Sequence, residues 1–484
     1  MSGSVPHAKS LRRACVAVCT LALVLTACGG GPRSGASGKR TVLLTEADDA
    51  RVGEEASDAV SAQMGLYEDP ALEAYVSRIG SKLVRGVPRN AFHYQFKIVD
   101  QFEPNAFALP GGYIYVSRGL LALANSEDEL ANVIGHEITH AARRHAAMQQ
   151  ALAVSGPLAM PWVQAARQAA YGRDMERDAD RGGQFLAAAA GYDPMALSTF
   201  LSDMGQLERL RIGHSRLPSF FDTHPGSQER SAVNAARAQE IRWQRDPTLG
   251  DTHTAYLRQI DGLPLGQRPE AGIFEGDRFL HPDLDFQIRF PNGWSTSNTN
   301  QAVGALSPRG DAMVYVTADQ PAGDPKQIAE AFVVTTGRQL PVEVVAAGPV
   351  QIGHIDAWRI ELTGRGRGGS LSAVVTFLPY RGATWRITGV APSGVAPRYT
   401  GRMLNTARSF RPLTDEERSR IEATRLRLVT ALRGEDLEAL ARRAGNDWDP
   451  TRTAVYNGIF TTHRFSGGEL VKVARVEPYT PHRD

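Results

Sequence analysis

The residues with the clearest chemical potential lie in the stretch VIGHEITHAARRH, residues 133–145. His136 and His140 are four positions apart, so in an α-helix both imidazoles lie on one face and can bind one metal ion. Glu137 would lie close enough to exchange a proton with a water at that ion. The chain has 12 histidines, and this spacing arises by chance in roughly one or two sequences per hundred of such composition. The motif alone therefore leaves an ordinary helix as the alternative.

A candidate third ligand follows in GRDMERDADRGG, residues 172–183. Glu176 and Asp180 are also four positions apart on a predicted helix. Glu176 can complete a His₂Glu catalytic zinc site, which leaves a fourth position open to water. Asp180 can accept a hydrogen bond from a ligand histidine and so fix its orientation. The alternative is a solvated charged helix face that includes Arg177 and Arg181.

These segments together resemble a known family. HEITH at 136–140, ERDAD at 176–180 and NAFALPGGYIYVSRGLL at 105–121 are similar to motifs of the HtpX and CAAX-prenyl-protease family of gluzincin metalloproteases, in its soluble periplasmic BepA-like branch. The similarity extends over about residues 46–245. One departure is Gly172, where the family usually has serine.

The resemblance implies the chemistry of a zinc peptidase with one Zn²⁺. The ion is bound by His136, His140 and Glu176, acidifies a water and polarises a peptide carbonyl. Glu137 takes the proton of that water and returns it to the leaving amine. Asp180 orients a ligand histidine. We expect loss of Glu137 to abolish turnover while zinc stays bound, because this carboxylate is not a ligand.

A further histidine belongs to the segment FFDTHPGSQER, residues 220–230. The segment matches a family element in which a histidine and a downstream arginine approach the active site. The resemblance implies that His224 either occupies the open position on zinc in a resting, self-inhibited state or hydrogen-bonds the transition-state oxyanion. A surface histidine before Pro225 is the alternative. Three other histidines match no ligand spacing and are interpreted as structural or solvated: His145, His214 and His253.

The helix that carries the metal motif has a predicted start. Ser126 is a good N-cap, and Glu129 would complete an S-x-x-E capping box with it. Leu130, Val133 and Ile134 form the apolar stripe that would bury one face of the helix. The motif is therefore predicted to lie in the middle of a helix.

Around this helix the sequence predicts an α+β domain. From about Glu46 to Arg242 the pattern is mainly helical, with a β-rich interruption at HYQFKIVD and YIYVSRG. The Gly111-Gly112 turn leads into the alternating residues 113–117, and such an edge strand can hold an extended peptide by backbone hydrogen bonds. A hairpin in the core is the alternative.

Beyond this domain the sequence pattern changes from mainly helical to mainly β-strand. GLPLGQRPEAG at 262–272 is typical of a boundary, and alternating strands follow, with a predicted helix at 325–338. FQIRFPNGW at 286–294 resembles the opening hairpin of PsbP-like domains, and GEDL at 434–437 resembles the G-D-T-L of a LysM domain. The predicted fold class is α+β: a mainly helical zincin-type metalloprotease domain with a small edge-exposed sheet (46–262), an α+β PsbP-like domain (275–413) and a degenerate LysM-like βααβ module (423–476).

The N-terminal residues predict a lipoprotein signal peptide over 1–27. Three basic residues precede the apolar run ACVAVCTLALVLTA, which is too short to span a bilayer comfortably as a helix. Cys28 would then carry a lipid, and 28–45 would form a flexible tether. Gly29 takes the place where inner-membrane lipoproteins often have aspartate, which favours the outer membrane. Plain secretion with cleavage at small residues is the alternative.

Loss of this leader would change two properties of the chain. Cys15 and Cys19 would be removed, and lipid would occupy Cys28, so no disulfide is predicted. The formal charge would change from +2 to −1, because the leader contains three basic and no acidic residues. This balance gives no indication of a nucleic-acid partner.

These expectations combine into one predicted role and two alternatives. The predicted role is a zinc metalloendopeptidase, lipid-anchored on the periplasmic side of the outer membrane, which cleaves unfolded or misassembled envelope proteins. Its predicted partners are extended polypeptides such as outer-membrane proteins or their assembly machinery, the membrane through Cys28, and peptidoglycan if residues 423–476 bind glycan. The alternatives are a periplasmic chaperone or assembly factor with little proteolysis and a cell-wall-binding scaffold.

Overall fold

A computed structural model of the chain describes residues 45–89, 91–146, 161–210, 224, 227–299, 302–321, 323–338, 340–366 and 369–481. The predicted leader, Cys28 and nearly all of the predicted tether lie outside the described residues. The described residues form two compact units. The first unit comprises 45–268 and 422–478, and the second comprises 269–421 and 479–481.

The first unit contains most of the helical residues. Its helices before the second unit are α1 (Glu46–Gln63), α2 (Pro70–Val84), α3 (Arg118–Leu123), α4 (Glu127–Ala142), α5 (Pro161–Ala189), α6 (Ala196–Leu210), α7 (Ser227–Glu240) and α8 (Thr252–Ile260). Local sequence sets several of their starts: Thr45 closes a capping box on α1, and Asp69 accepts hydrogen bonds from the first backbone amides of α2. Among the described residues, no helix combines the length and apolarity that crossing a membrane requires.

A small three-stranded sheet packs beside these helices. Its strands are β1 (Gln95–Val99), β2 (Ala106–Leu109) and β3 (Tyr113–Ser117), and a two-residue strand β4 (Pro264–Leu265) lies apart from them. β3 is central, parallel to β1 and antiparallel to β2. The prediction that the alternating residues 113–117 form the exposed edge is therefore wrong, since β1 and β2 are the two edge strands. The reason is burial: Tyr115 is fully enclosed, and its hydroxyl group lies 2.8 Å from Ser57 Oγ on α1.

The second unit is dominated by antiparallel strands. Its elements are β5 (Ile273–Glu275), β6 (Arg278–His281), β7 (Phe286–Arg289), β8 (Ser295–Asn298), β9 (Val303–Leu306), β10 (Met313–Pro321), α9 (Pro325–Gly337), β11 (Val342–Ile352), β12 (Ile355–Gly366), β13 (Gly369–Tyr380), β14 (Ala383–Pro392), α10 (Thr400–Arg408), β15 (Arg411–Pro412) and α11 (Asp415–Ser419). They form a seven-stranded sheet of order β11-β12-β13-β14-β10-β9-β8 and a four-stranded sheet of order β15-β7-β6-β5. The predicted helix at 325–338 is confirmed by α9.

The chain returns to the first unit after residue 421. The elements there are β16 (Glu422–Thr430), α12 (Leu437–Ala444), α13 (Pro450–Tyr456) and β17 (Leu470–Pro478). This order confirms the predicted strand–helix–helix–strand sequence. β16 pairs with β17 on one side and with β4 on the other, in a sheet of order β17-β16-β4. Leu426, Trp448 and Tyr456 also belong to the hydrophobic core that contains α2, α4 and α6.

Candidate metal centre

Helix α4 carries the H-E-x-x-H motif and begins as the sequence indicates, with one difference. Ser126 is the N-cap, and its Oγ accepts a hydrogen bond from the Glu129 amide at 3.1 Å. The Glu129 carboxylate, however, accepts from the Asn125 amide at 2.7 Å and from the Thr199 hydroxyl group at 2.9 Å. The predicted capping box is therefore wrong in its second half, because this buried carboxylate binds neighbours outside the helix. The predicted apolar stripe of α4 is buried.

Glycines let α5 approach α4 closely enough to build the site. A Cβ on Gly183 would lie 2.7 Å from the His136 backbone nitrogen, and one on Gly182 would lie 2.4 Å from the Thr139 side chain. On the other helix, a Cβ on Gly135 would lie 3.0 Å from the Gly183 carbonyl oxygen. The contact of the two helices therefore has no room for side chains at these three positions, and it places the acidic residues of α5 opposite the histidines of α4.

Four side chains converge at this contact. One ligand atom from each lies within 4.8 Å of the others: His136, His140, Glu176 and His224. His136 Nε2 is 3.0 Å from His140 Nε2 and 3.2 Å from His224 Nδ1. Glu176 Oε2 is 2.9 Å from His224 Nδ1, and Glu176 Oε1 is 3.3 Å from His140 Nε2. The structure thus brings the three predicted ligands together and adds His224 as a fourth neighbour.

The spacing of these atoms fits a zinc ion. Ligand atoms placed about 2.0–2.1 Å from a tetrahedral zinc ion lie roughly 3.3–3.4 Å from one another. The short contacts between atoms of His136, His140, Glu176 and His224 range from 2.9 to 3.5 Å, and one ligand atom from each lies within 4.8 Å of the others. Imidazole nitrogens and a carboxylate are also the donors that zinc prefers. When bound, the ion would act as a Lewis acid toward a carbonyl oxygen and lower the pKa of a water.

Glu137 lies at the edge of this cluster and is 1% exposed. Its Oε1 is 3.4 Å from His224 Nε2 and has no hydrogen-bond partner in the described part of the chain. Burial raises the pKa of this carboxyl group, and the nearby His224 and His136 oppose that shift. An enclosed carboxylate oxygen with free acceptor capacity is suited to receive a proton from a water.

Asp180 lies beside His136, where the prediction that it orients a ligand histidine would place it. Its Oδ1 is 3.0 Å from His136 Nδ1. The other ring nitrogen, Nε2, therefore faces the other ligand atoms. Burial alone would raise the pKa of Asp180, but hydrogen bonds from Arg230 and His136 outweigh it and hold the pKa well below its usual range. Burial likewise lowers the pKa of His136, but Asp180 and Glu176 more than offset this and raise it to about 9.

Arg230 and Asn234 on α7 complete the surroundings of Asp180. Arg230 donates to both Asp180 oxygens, at 2.9 and 2.5 Å, and its Nη1 is 2.9 Å from Glu176 Oε2. Asn234 Nδ2 donates to Asp180 Oδ2 at 2.9 Å. The arginine is the downstream residue that the resemblance implied in 220–230. Asn234 was not predicted, although its position four residues after Arg230 on a helix is a signal that could have found it.

The remaining histidines have three different outcomes. His145, interpreted from sequence as structural or solvated, is 4% exposed, and its Nδ1 lies 2.9 Å from Nδ1 of the ligand His140. His253 Nδ1 lies 2.6 Å from the Asn125 carbonyl oxygen, which is a structural contact. His214 lies outside the described residues.

An H-E-x-x-H helix whose histidines meet a carboxylate from a second buried helix defines a metallopeptidase domain. Residues 70–238 match the model of Peptidase family M48, so this part of the chain is similar to that family. The prediction of an HtpX and CAAX-prenyl-protease-like metallopeptidase domain is confirmed.

The chain is also similar to curated proteins over part of its length. It is 30% identical over 220 residues to "Beta-barrel assembly-enhancing protease" of Escherichia coli (strain K12), which is 40% of this chain and 45% of that protein. It is 30% identical over 196 residues to "Mitochondrial metalloendopeptidase OMA1" of Schizosaccharomyces pombe, which is 36% of this chain and 57% of that protein. The chain thus spans about half the length of these curated relatives.

A solved structure of cyanobacterial PsbP from Synechocystis is similar to 31% of this chain and to 99% of its own length, with 14% identity and a TM-score of 0.26. This score is too low to assign a fold to any segment of the chain.

Proposed function

We propose that this protein is a zinc-dependent metalloendopeptidase that hydrolyses peptide bonds of unfolded or misassembled proteins in the bacterial envelope. The observation that carries the proposal is the convergence of His136, His140 and Glu176 beside the buried carboxylate of Glu137. These residues have the types, spacing and mutual distances that zinc-assisted hydrolysis needs.

In the proposed mechanism, Glu137 transfers the proton, and Asp180 and Arg230 position the ligands. Glu137 accepts a proton from the attacking water, whose oxygen bonds to the peptide carbonyl carbon. The C–N bond then breaks, and Glu137 delivers the proton to the leaving nitrogen. Asp180 keeps Nε2 of His136 directed toward the other ligands. Arg230 pairs with the Asp180 and Glu176 carboxylates and so holds these two acids side by side.

The position of strand β2 at an edge of its sheet supports the proposal of an extended peptide substrate. The strand packs against α4, and its outer side has no partner strand in the three-stranded sheet. A peptide that pairs with such an edge forms backbone hydrogen bonds without regard to sequence, and this suits a protease that acts on many unfolded chains.

The place of action is also part of the proposal. We infer a chain that is cleaved before Cys28, lipid-anchored there and held at the periplasmic side of the outer membrane. The leader-like residues 1–27 support this inference, as does the similarity to a protein whose name refers to β-barrel assembly. Binding of residues 423–476 to peptidoglycan stays a prediction.

One observation favours a second candidate function. His224 Nδ1 lies among the ligand atoms, 2.9 Å from Glu176 and 3.2 Å from His136, so this imidazole takes the position that a substrate carbonyl or water would need. A protein held in this state would bind unfolded chains without cutting them. This arrangement favours a periplasmic chaperone or assembly factor with little proteolysis.

The test is cleavage of an unfolded outer-membrane protein by residues 29–484, with the zinc content of every sample determined. Wild type is compared with Glu137→Gln and His224→Ala. We expect cleavage by wild type or His224→Ala and none by Glu137→Gln at equal zinc content, since Glu137 is not a ligand. A faster His224→Ala variant would support self-inhibition.

Two outcomes would redirect the proposal. Full zinc occupancy with no cleavage by any variant, together with capture of the unfolded chain, would favour the chaperone. Absence of zinc from the purified wild type after supplementation would remove the basis for both.

A further inference from the structure

His145 lies just beyond the end of the metal-motif helix and is enclosed by the fold. Between them, Arg144 has a left-handed backbone with φ of 56° and forms an ion pair with the buried Asp49 of α1. Beyond this left-handed residue, His145 lies next to His140, with the two ring centroids 4.9 Å apart and nearly perpendicular.

The two rings face each other through the same type of atom, the Nδ1 nitrogen. His145 Nδ1 and His140 Nδ1 are 2.9 Å apart, so one must carry the proton and the other must accept it. His140 Nε2 lies among the metal-ligand atoms and must keep its lone pair to bind an ion. The hydrogen of His140 is therefore on Nδ1, and His145 Nδ1 is the acceptor.

The same reasoning fixes the second nitrogen of His145. Since its Nδ1 accepts, the ring hydrogen is on Nε2, which lies 3.5 Å from Asp178 Oδ2. Asp178 also pairs with Arg143 at 3.0 Å. The order Asp178, His145, His140 thus defines one tautomer for each ring, in the direction that presents a free Nε2 to the metal.

We propose that His145 is a positioning residue that holds His140 in the tautomer and orientation required for zinc binding. The proposal rests on the proposed zinc site. The two ligand histidines then have different neighbours. His136 Nδ1 lies 3.0 Å from a carboxylate oxygen of Asp180, whereas His140 donates to the neutral imidazole of His145. Neighbours of this kind contribute to metal affinity by fixing the ligand in advance.

The test compares His145→Asn with His145→Gln in the full chain. The Asn side-chain oxygen occupies the place of Nδ1, whereas the Gln oxygen reaches the place of Nε2, so only Asn can accept from His140. We expect His145→Gln to bind zinc roughly 10–100-fold more weakly than wild type and His145→Asn to stay near the wild-type affinity. Zinc affinity is measured by chelator competition, and the visible spectrum of the Co²⁺-loaded proteins reports the ligand geometry.

The Tm values of the zinc-free proteins separate this role from a merely structural one. We expect Asn and Gln variants with the same zinc-free Tm and different zinc affinities. Equal affinities for the two variants, whether wild-type or reduced, would overturn the proposal. Failure of the wild type to cleave substrate would count against the proposed function instead, because zinc affinity is measured without activity.

Discussion

At the scale of single residues, Arg230 is the cation on which the metal centre depends. It is 6% exposed and contacts both Glu176 and Asp180, two carboxylates that are themselves enclosed. Burial of two acids so close together is unfavourable unless a cation lies between them. The arginine therefore contributes to the stability of the site as well as to its geometry.

Replacement of this arginine should be costly. We expect Arg230→Met to lower the free energy of unfolding of the zinc-free protein by about 3–5 kcal/mol, because it removes the buried guanidinium that contacts both carboxylates. Urea unfolding followed by circular dichroism measures the change. The matched control is Arg177→Met, since this arginine is 53% exposed and lies 3.4 Å from Asp174. The control should lose no more than about 1 kcal/mol, and an equally large loss there would refute the assignment.

His281 in the second unit makes a pH-dependent contribution to stability. Burial lowers its pKa to about 4 from an ordinary value of 6.5, and its Nδ1 accepts from the Leu284 amide at 3.3 Å. The folded state therefore binds fewer protons than the unfolded state between these values. The stabilisation is complete above pH 6.5 and is lost as the pH falls toward 4, by on the order of 3 kcal/mol.

The prediction is tested by urea unfolding of the second unit between pH 4 and 7.5, with hydrogen exchange of β6 and β7 as the local probe. His281→Asn keeps an acceptor near the position of Nδ1 and has no group that titrates. We expect its unfolding free energy to fall less on acidification than that of wild type. Parallel pH profiles for the two proteins would contradict the role of His281.

At the scale of elements, the contact of α4 with α5 decides whether the ligands meet. A Cβ on Gly183 would come within 2.7 Å of the His136 backbone, and neither helix backbone can move without shifting a ligand. We expect Gly183→Ala to lower the unfolding free energy by about 1–3 kcal/mol and to weaken zinc binding. Calorimetry and chelator competition measure the two effects.

The same helix supplies the control. A Cβ on Gly172 of α5 would have no atom of the described residues within 4 Å, so Gly172→Ala should stabilise the helix by roughly 0.5–1 kcal/mol and leave zinc affinity unchanged. If both glycine variants behaved alike, close packing at Gly183 would not be what positions the ligands.

These elements also show how far a sequence can predict a site. Residues of one helix with a fixed spacing, such as His136 with His140 and Glu176 with Asp180, can be predicted because helix geometry alone places them together. The contacts of Glu129 and His145 could not be predicted, because each depends on a turn or on a partner remote in sequence. A capping motif or a lone histidine carries no information about such partners.

At the scale of the whole molecule, the C-terminal segment 422–478 is built into the first unit through a buried lysine. Lys472 on β17 is fully enclosed, and its Nζ donates to the carbonyl oxygens at the end of α3, at 2.8 to 3.1 Å. These carbonyls have no partner inside the helix, and a cation is favoured there. Burial lowers the pKa of Lys472, and Glu129 and Asp203 oppose that shift.

This connection could not be predicted from the sequence, because the pattern around Lys472 indicates a side chain that faces solvent. A lysine inside LVKVARV is typical of a strand with one solvated face. The prediction of a separate module over 423–476 depends on the resemblance of GEDL to a LysM motif, which carries no information about the partner of this lysine. In the folded chain the lysine faces the short link between α3 and α4 instead. The segment therefore supports the start of the helix that carries the metal motif.

Removal of the Lys472 charge should consequently affect residues far from it in sequence. Lys472→Met keeps the length of the side chain but leaves three carbonyl oxygens and the acids Glu129 and Asp203 without their cation. We expect a loss of about 3–5 kcal/mol in the unfolding free energy of the first unit. We also expect faster amide hydrogen exchange in residues 118–130 as well as in β17, because both sides of the contact loosen together.

Arg442→Met is the control for this experiment, since Arg442 lies in α12 of the same segment, is 73% exposed and is 3.7 Å from Glu438. It should change the unfolding free energy by less than about 1 kcal/mol and leave exchange in 118–130 unaltered. Faster exchange confined to 422–478 in Lys472→Met would mean that the segment unfolds on its own. Faster exchange that extends into α4 would show that the metal-motif helix depends on a residue more than three hundred positions away.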